Sequence, residues 1–352
     1  MAQDVASAPV PHMRQEPASS SPAERRPRDP HANRHTYGAL DLGTNNCRLL
    51  IARPSETGFT VIDAFSRIVR LGEGLSQTGR LSDEAMDRAV AALSVCADKL
   101  RRRNVSLCRS VATEACRRAA NGRKFIERVR DETGIALEVI EPAEEARLAM
   151  LGCHKLLEPG DGPALIFDIG GGSTELVLID QIGGTPMIRS WWSAPWGVVS
   201  LTDSEGREAI EGKDRVRAYE RMRERVRRSF DQFEAMLPKE RKGIRLLGTS
   251  GTVTTLASVH LALPSYDRRA VDGLHVPCDS MRAISTMIAE MDYEERSALP
   301  CIGAERADLV VAGCAILEAI LEIWPAEKLG VADRGIREGI LRSLMARDGY
   351  KL

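Results

Sequence analysis

Two stretches of this chain read as the same acidic, glycine-rich turn set between apolar runs: ALDLGTNNCRLLIA over 39–52 and IFDIGGGSTELVLI over 166–179. Laid over each other without a gap, they share an aspartate (Asp41, Asp168), a glycine two places on (Gly43, Gly170) and an apolar tail from Leu49 and Leu176 onward. An aspartate at the end of a buried strand is costly unless its charge is used. Glycines directly after it let the backbone turn and bare its N–H groups, which form a concavity for anions. Two such turns facing each other across a cleft would grip one phosphate chain from both sides. Their carboxylates would hold the Mg²⁺ that phosphates bring, since Mg²⁺ takes one or two carboxylates with phosphate oxygens and water. The GGGS at 170–173 is not followed by lysine, which excludes a Walker loop. The TELVLI after it alternates like a strand, whereas the dinucleotide fingerprint enters a helix. A plain glycine hairpin explains one copy; two in-register copies that both keep the aspartate point to function.

The elements that must position these turns repeat as well. YGALDL, CRLLIARP and FTVIDAFSRIVRLG read as strands, and SDEAMDRAVAALSVCADKLRRR as a helix with Ser82 at its N-cap. SLCRSVAT is a strand, EACRRAANGRKFIERVRDETG is helical with a break at Asn121-Gly122, and LEVI is a strand. PAEEARLAMLGCHKLL is a helix with Pro142 in its first turn. The loop EPGDGP (158–163) then precedes a restart: strands ALIFDI and TELVLID, a further strand from TPMIRSWWSAPWGVVSL, a long helix KDRVRAYERMRERVRRSFDQFEAML, strand IRLLGTSG and helix TVTTLASVHLAL. Strands first, then helices alternating with strands, twice over, predict an α/β chain built by duplication. The expected limits are a disordered tail at 1–36, domains at 37–157 and 158–334, and a C-terminal helix at 335–352 packing back at the domain interface.

Composition narrows the classes. The 352 residues carry 49 basic against 50 acidic side chains, without the basic excess of a nucleic-acid binder. No apolar run approaches a membrane span, and the tail lacks the apolar stretch of a signal peptide. The eight cysteines form no CxxC pair and read as reduced, buried thiols of a cytoplasmic protein.

Six stretches in order, DLGTNNCRLL (41–50), VATEACRRA (111–119), EEARL (144–148), DIGGGSTEL (168–176), GTSGT (248–252) and DRGIREGIL (333–341), resemble the exopolyphosphatase and guanosine pentaphosphate phosphohydrolase (Ppx/GppA) family. The resemblance implies two duplicated ribonuclease H-like domains of the actin, sugar kinase and Hsp70 superfamily, with the site in the cleft between them. It implies Glu145 as general base and Arg117 as an arginine near the phosphates. Asp168 would support Mg²⁺, with Glu175 as a supporting ligand. Asp41, Gly43, Thr44, Asn45 and Asn46 match the first phosphate turn, and Gly170, Gly171, Gly172 and Ser173 the second. Ser250 and Gly251 open a helix after a strand, either an anion site or a tight packing turn. From the residues alone, Glu144 and Glu145 read as the acidic first turn of a helix. The implied activity is Mg²⁺-dependent release of terminal phosphate from inorganic polyphosphate. The rivals are guanosine pentaphosphate hydrolysis, a non-catalytic guanosine tetraphosphate or pentaphosphate regulator, and a small-molecule kinase. A homodimer is left open; no nucleic-acid or membrane partner is expected.

This chain departs from the family at Asn46-Cys47, at Glu141-Pro142-Ala143 and at Ala332. It also ends without the HD-type helical module of long members, which puts processive digestion of long polyphosphate in doubt. The arginine-rich helix over 213–230 reads as a solvated basic face or, more sharply, a polyanion track. The tryptophans of RSWWSAPWG read as packing residues rather than a stacking platform.

Overall fold

The computed structural model describes residues 35–56, 58–160, 162–182, 185–239 and 243–350. The disorder expected of the N-terminal tail falls, up to residue 34, outside the described residues. Thr36 is already buried, and its carbonyl accepts the Ser106 N–H.

Two sheets organise the chain. The first contains β1 (Tyr37–Leu42), β2 (Asn46–Ser55), β3 (Gly58–Ile68), β4 (Leu107–Ala112) and β5 (Glu138–Val139), in the order β3-β2-β1-β4-β5. The second contains β6 (Ala164–Ile169), β7 (Thr174–Ile182), β8 (Thr185–Ala194), β9 (Arg245–Thr249), β10 (His275–Pro277) and β11 (Lys328–Ala332). Its order, β8-β7-β6-β9-β11-β10, repeats the first and adds one edge strand. Directions repeat too. The first strand of each sheet runs antiparallel to the second and parallel to the fourth. The central strands YGALDL and ALIFDI are covered on both faces, which is why they read as nearly unbroken apolar runs.

The helices that matter here are α1 (Asp83–Arg102), α2 (Glu114–Arg118), α3 (Pro142–Cys153), α4 (Arg215–Ser229), α5 (Gly251–His260), α6 (Val310–Ile323) and α7 (Ile336–Arg347). The Ser82 side chain caps α1 by accepting the Ala85 N–H, and acids open the helix while cations close it, as the dipole favours. Helix α1 covers one face of the first sheet. Helix α7 covers the other: Ile336, Ile340, Leu344 and Met345 pack with Tyr37, Ala39 and Leu50.

Helix α3 lies between the sheets. Leu148 and Ala149 pack toward the first, while Ala146, Met150 and Cys153 pack toward Ile166, Val177 and Ile179 of the second. It meets α7 through glycines. A Cβ on Gly152 would stand 2.0 Å from the Gly335 carbonyl oxygen, and one on Gly339 2.0 Å from that of Leu148. Only glycine lets the backbones come this close.

Two sequence expectations change. The strand from TPMIRSWWSAPWGVVSL stops at Ala194, and Val198–Glu205 is a helix despite its β-branched start. The long arginine-rich helix breaks after Ser229, with Asp231–Glu234 a separate turn. All eight cysteines are free, and only Cys108 is not fully buried.

Candidate active site

The two glycine turns face each other. A Cβ on Gly171 would come within 3.0 Å of the Asn45 nitrogen and of Thr44 Cβ, and one on Gly172 within 2.7 Å of Thr44 Oγ1. Each turn is closed by the same bond: Gly43 N–H donates to the Asn46 carbonyl at 2.9 Å, and Gly170 N–H to the Ser173 carbonyl at 3.0 Å.

The carbonyls of both turns are then drawn away by a later segment. Thr44 and Asn45 carbonyls accept from Gly72, Val69 and Arg70 N–H groups at 2.9–3.0 Å. Gly170 and Gly171 carbonyls accept from Val198, Val199 and Ser200, the first turn of the helix missed in the sequence. Gly197 makes that approach possible, since its Cβ would stand 2.4 Å from the Gly171 carbonyl carbon. With the carbonyls engaged outside, the N–H groups of Thr44, Asn45, Gly171 and Gly172 have no protein acceptor among the described residues. Bare, converging N–H groups of this kind have the form of an anion-binding concavity, and the chain builds it twice.

Between the turns lies a cavity of about 410 Å³. Asp41, Gly43, Thr44, Asn45 and Asn46 line it from one side, Asp168 and Gly170 to Ser173 from the other, with Glu145, Glu175, Ser250 and Gly251 completing the wall. A second cavity of about 290 Å³ shares Asp41, Arg48, Asp168, Ser250, Gly251 and Arg306 with it, and adds Tyr266, Arg268, Arg334 and Arg337. Ser250 and Gly251 open α5 at this wall, but the Ser250 hydroxyl is taken as the helix cap, accepting the Val253 N–H at 3.1 Å. Ser173 likewise spends its hydroxyl inside the protein, donating to Glu175 Oε1 at 2.7 Å.

The adjacent glutamates separate cleanly. Glu145 is 6% exposed and faces the cleft. Glu144 turns away to Arg109 at 2.6 Å and Arg147 at 2.7 Å, and these bonds hold its carboxyl at about 2. Burial, and then Glu175, raise Glu145 well above the usual carboxylate range against the pull of Arg117. Burial is also the main cause that lifts Asp168 to about 8 and Glu175 to about 7 and that raises Asp41. Each of these carboxylates carries its charge at a cost that a bound cation would remove.

Whether Mg²⁺ fits can be judged from the same residues. Asp41 Oδ1 is buried with no hydrogen-bond partner, as is Asn45 Oδ1. The Asp168 carboxylate accepts no protein hydrogen bond among the described residues, whereas Glu175 Oε1 is held by Ser173 and Ser193. No three acidic, histidine or cysteine side chains converge on a metal position among the described residues. The donor set suits a hard cation that shares one or two carboxylates with phosphate and water, and not an all-protein cage.

Arg117 stands apart from the other residues the sequence singled out. It lines neither cavity; its guanidinium sits behind the wall, 2.5 Å from Glu114 Oε2 and 2.5 Å from the Ile140 carbonyl, with Glu145 Oε2 at 3.5 Å. The cleft arginines are instead Arg48, Arg67 and Arg306, none singled out from the sequence. A signal for Arg48 existed. The turn register pairs Asp41 with Arg48 and Asp168 with Glu175, so the two repeats carry opposite charges at equivalent places.

Most of the arginines expected to form a polyanion track on α4 are held in ion pairs. Arg221 and Arg225 share Glu205, Arg223 faces Glu318 and Glu322, Arg227 faces Asp231, Glu234 and Glu322, and Arg228 pairs with Glu224. Trp192 is fixed to the Ser229 carbonyl and Trp196 lies under Arg225, while Trp191 is exposed.

Along one rim, residues after β3 bind the second half of the chain. Arg70 and Arg207 converge on buried Asp308 at 2.8 and 3.0 Å, and Gly74 N–H donates to Asp203 at 3.0 Å. Arg70 adopts φ 47°, an unfavourable backbone for a residue with a side chain.

A repeated α/β unit with paired, amide-lined turns over buried carboxylates defines the duplicated ribonuclease H-like fold of the actin, sugar kinase and Hsp70 superfamily. Comparison with known proteins carries this to a family. The family model described as "Ppx/GppA phosphatase family" matches residues 50–348. Exopolyphosphatase 2 of Mycobacterium tuberculosis is 31% identical over 322 residues, covering 87% of this chain and 97% of that protein. The crystal structure of the Aquifex aeolicus Ppx/GppA family member superposes with a TM-score of 0.72 at 30% identity, over 90% of this chain and 99% of that one. An exopolyphosphatase from Cytophaga hutchinsonii gives a TM-score of 0.77 at 26% identity, over 90% and 99%. The chain belongs to the Ppx/GppA phosphatase family. No helix among the described residues is long and apolar enough to cross a membrane.

Proposed function

We propose that this protein is an exopolyphosphatase that releases terminal orthophosphate from inorganic polyphosphate. The observation that carries the reading is the pair of opposed turns, whose unengaged N–H groups face one cavity over the Glu145 carboxylate. The terminal phosphoryl group sits between the turns, with Arg48, Arg67 and Arg306 compensating the charge of the chain. Glu145 accepts a proton from a water as its oxygen attacks the terminal phosphorus. The anhydride P–O bond breaks, and its electron pair leaves with the shortened chain. A base so placed is worth about 10²–10⁴-fold.

Mg²⁺ would be held by Asp168 with Glu175 in support, and Asp41 offers its bare oxygen nearby. When bound, the ion neutralises charge on the phosphoryl oxygens. The second cavity, rich in arginine, accommodates the following phosphates. One observation favours guanosine pentaphosphate as the alternative substrate: Tyr266 lines that cavity and brings an aromatic ring to it, a partner of the kind a purine stacks on. The buried glutamate at the phosphate site speaks against a regulator without turnover.

Orthophosphate release from polyphosphate by Glu145→Gln and Glu144→Gln tests the reading. We expect kcat to fall at least ~10²-fold for the first and to stay within about twofold for the second. Equal losses would place the base elsewhere.

A further inference from the structure

We infer that Glu114 is a positioning residue for this reaction: it occupies the Arg117 guanidinium and so leaves the neighbouring Glu145 carboxylate only loosely paired. The inference rests on the functional reading above. Glu114 is the first residue of α2, lines the cleft, and has a side chain 13% exposed.

Arg117 can satisfy only a limited set of acceptors in one plane. Its Nη2 donates to the Glu114 carboxylate and its Nη1 to the Ile140 carbonyl, at 2.5 Å each, and Nη1 is left 3.5 Å from Glu145, beyond a good charged hydrogen bond. A carboxylate locked onto an arginine is a weak proton acceptor, because the cation favours its ionised form. The other charges that act most strongly on Glu145 are acidic: Glu175 on β7, Asp41 on β1 and Asp168 on β6. Arg117 is therefore the cation that decides how tightly Glu145 is held, and Glu114, anchoring Nη2 while the Ile140 carbonyl takes Nη1, helps decide where Arg117 goes.

Glu114 is itself fixed on two sides. A Cβ on Gly172 would stand 2.9 Å from its Cγ, so the side chain is wedged against the second phosphate turn. Arg118 approaches its other oxygen at 3.7 Å. A shift of the turn on phosphate binding would be felt by Glu114 first and passed through Arg117 to Glu145. An ion pair that served only to hold α2 in place would be indifferent to the distance between Arg117 and Glu145.

The test compares parent, Glu114→Gln, Glu114→Asp and Glu145→Gln in steady-state orthophosphate release from polyphosphate, with a crystal structure of Glu114→Gln. Glutamine keeps the shape but gives up the charge, so Arg117 should close onto Glu145 in that structure. We expect kcat to fall about tenfold with KM within twofold, and Glu114→Asp, which keeps the charge, to regain most of the loss. If Glu114→Gln does not fold, Glu114→Asp alone decides, since one methylene of lost reach should lower kcat a few-fold at constant KM. Unchanged kcat in the charge-neutral variant, a change confined to KM, no recovery with aspartate, or Arg117 still 3.5 Å or more from Glu145 would overturn the inference alone. A parent without phosphate release, or Glu145→Gln as active as the parent, would overturn the functional reading and this inference with it.

Discussion

Replacing Asp168 by asparagine should make the metal-free protein more stable, and increasingly so as pH rises above about 4. Asp168 is buried beside Glu175 and Asp41, and its carboxyl is raised from 3.8 to about 8. A carboxyl whose folded-state pKa is raised binds its proton more tightly folded than unfolded. It therefore costs nothing below pH 4, and stability is lost as pH rises from about 4 through about 8. At about 1.4 kcal/mol per pKa unit the full displacement is worth ~6 kcal/mol. Coupling to Glu175 and local relaxation make roughly 2–3 kcal/mol the working expectation. Asparagine has nearly the same shape and no charge. For a chain of this size about 1 kcal/mol moves Tm by roughly 1–2 °C. In EDTA, Asp168→Asn should therefore melt about 2–6 °C above the parent at pH 8.5 and together with it at pH 4. Adding Mg²⁺ with orthophosphate should raise the parent's Tm at pH 8.5 and leave the variant's nearly unmoved. A variant that melts at or below the parent at pH 8.5, or gains as much from Mg²⁺, would refute the reasoning.

Gly339→Ala should destabilise by ~2 kcal/mol or more, because its Cβ would stand 2.0 Å from the Leu148 carbonyl oxygen; chemical denaturation checks this, and a neutral result would mean α3 and α7 separate easily. Asp308→Asn should lower Tm by a few degrees and raise KM for polyphosphate, since it frees both Arg70 and Arg207 at the cleft rim; unchanged values would make that rim cluster incidental. Reversing Arg221 and Arg225 to glutamate should leave KM and its salt dependence unchanged while lowering stability, because both arginines serve Glu205; a raised KM would restore the polyanion track.

The repeated turn was legible because its chemistry is local. An aspartate, a glycine two residues later and flanking apolar runs fix a strand-turn-strand whatever packs on it, and the strand orders show the duplication. What the sequence hid depends on distant partners. Glu144 and Glu145 are neighbours on one helical turn, about 100° apart. Which of them enters the cleft is set by α3 lying between two sheets. Arg117 stands in the stretch that implies a phosphate contact, yet Ile140 and Glu114 claim it first. The arginines of α4 look unopposed because Glu205, Glu318 and Glu322 lie far along the chain. Val198 and Val199 resemble strand residues, but their N–H groups find the carbonyls of Gly170 and Gly171, and the segment becomes a helix that fixes the second turn.

Orthophosphate release from polyphosphate and from guanosine pentaphosphate, measured side by side with Mg²⁺ and with EDTA, tests the proposed activity most directly. We expect turnover of polyphosphate in Mg²⁺, its abolition by EDTA, and slower release from guanosine pentaphosphate. Release that persists undiminished in EDTA, a clear preference for guanosine pentaphosphate, or no release from either substrate would contradict it.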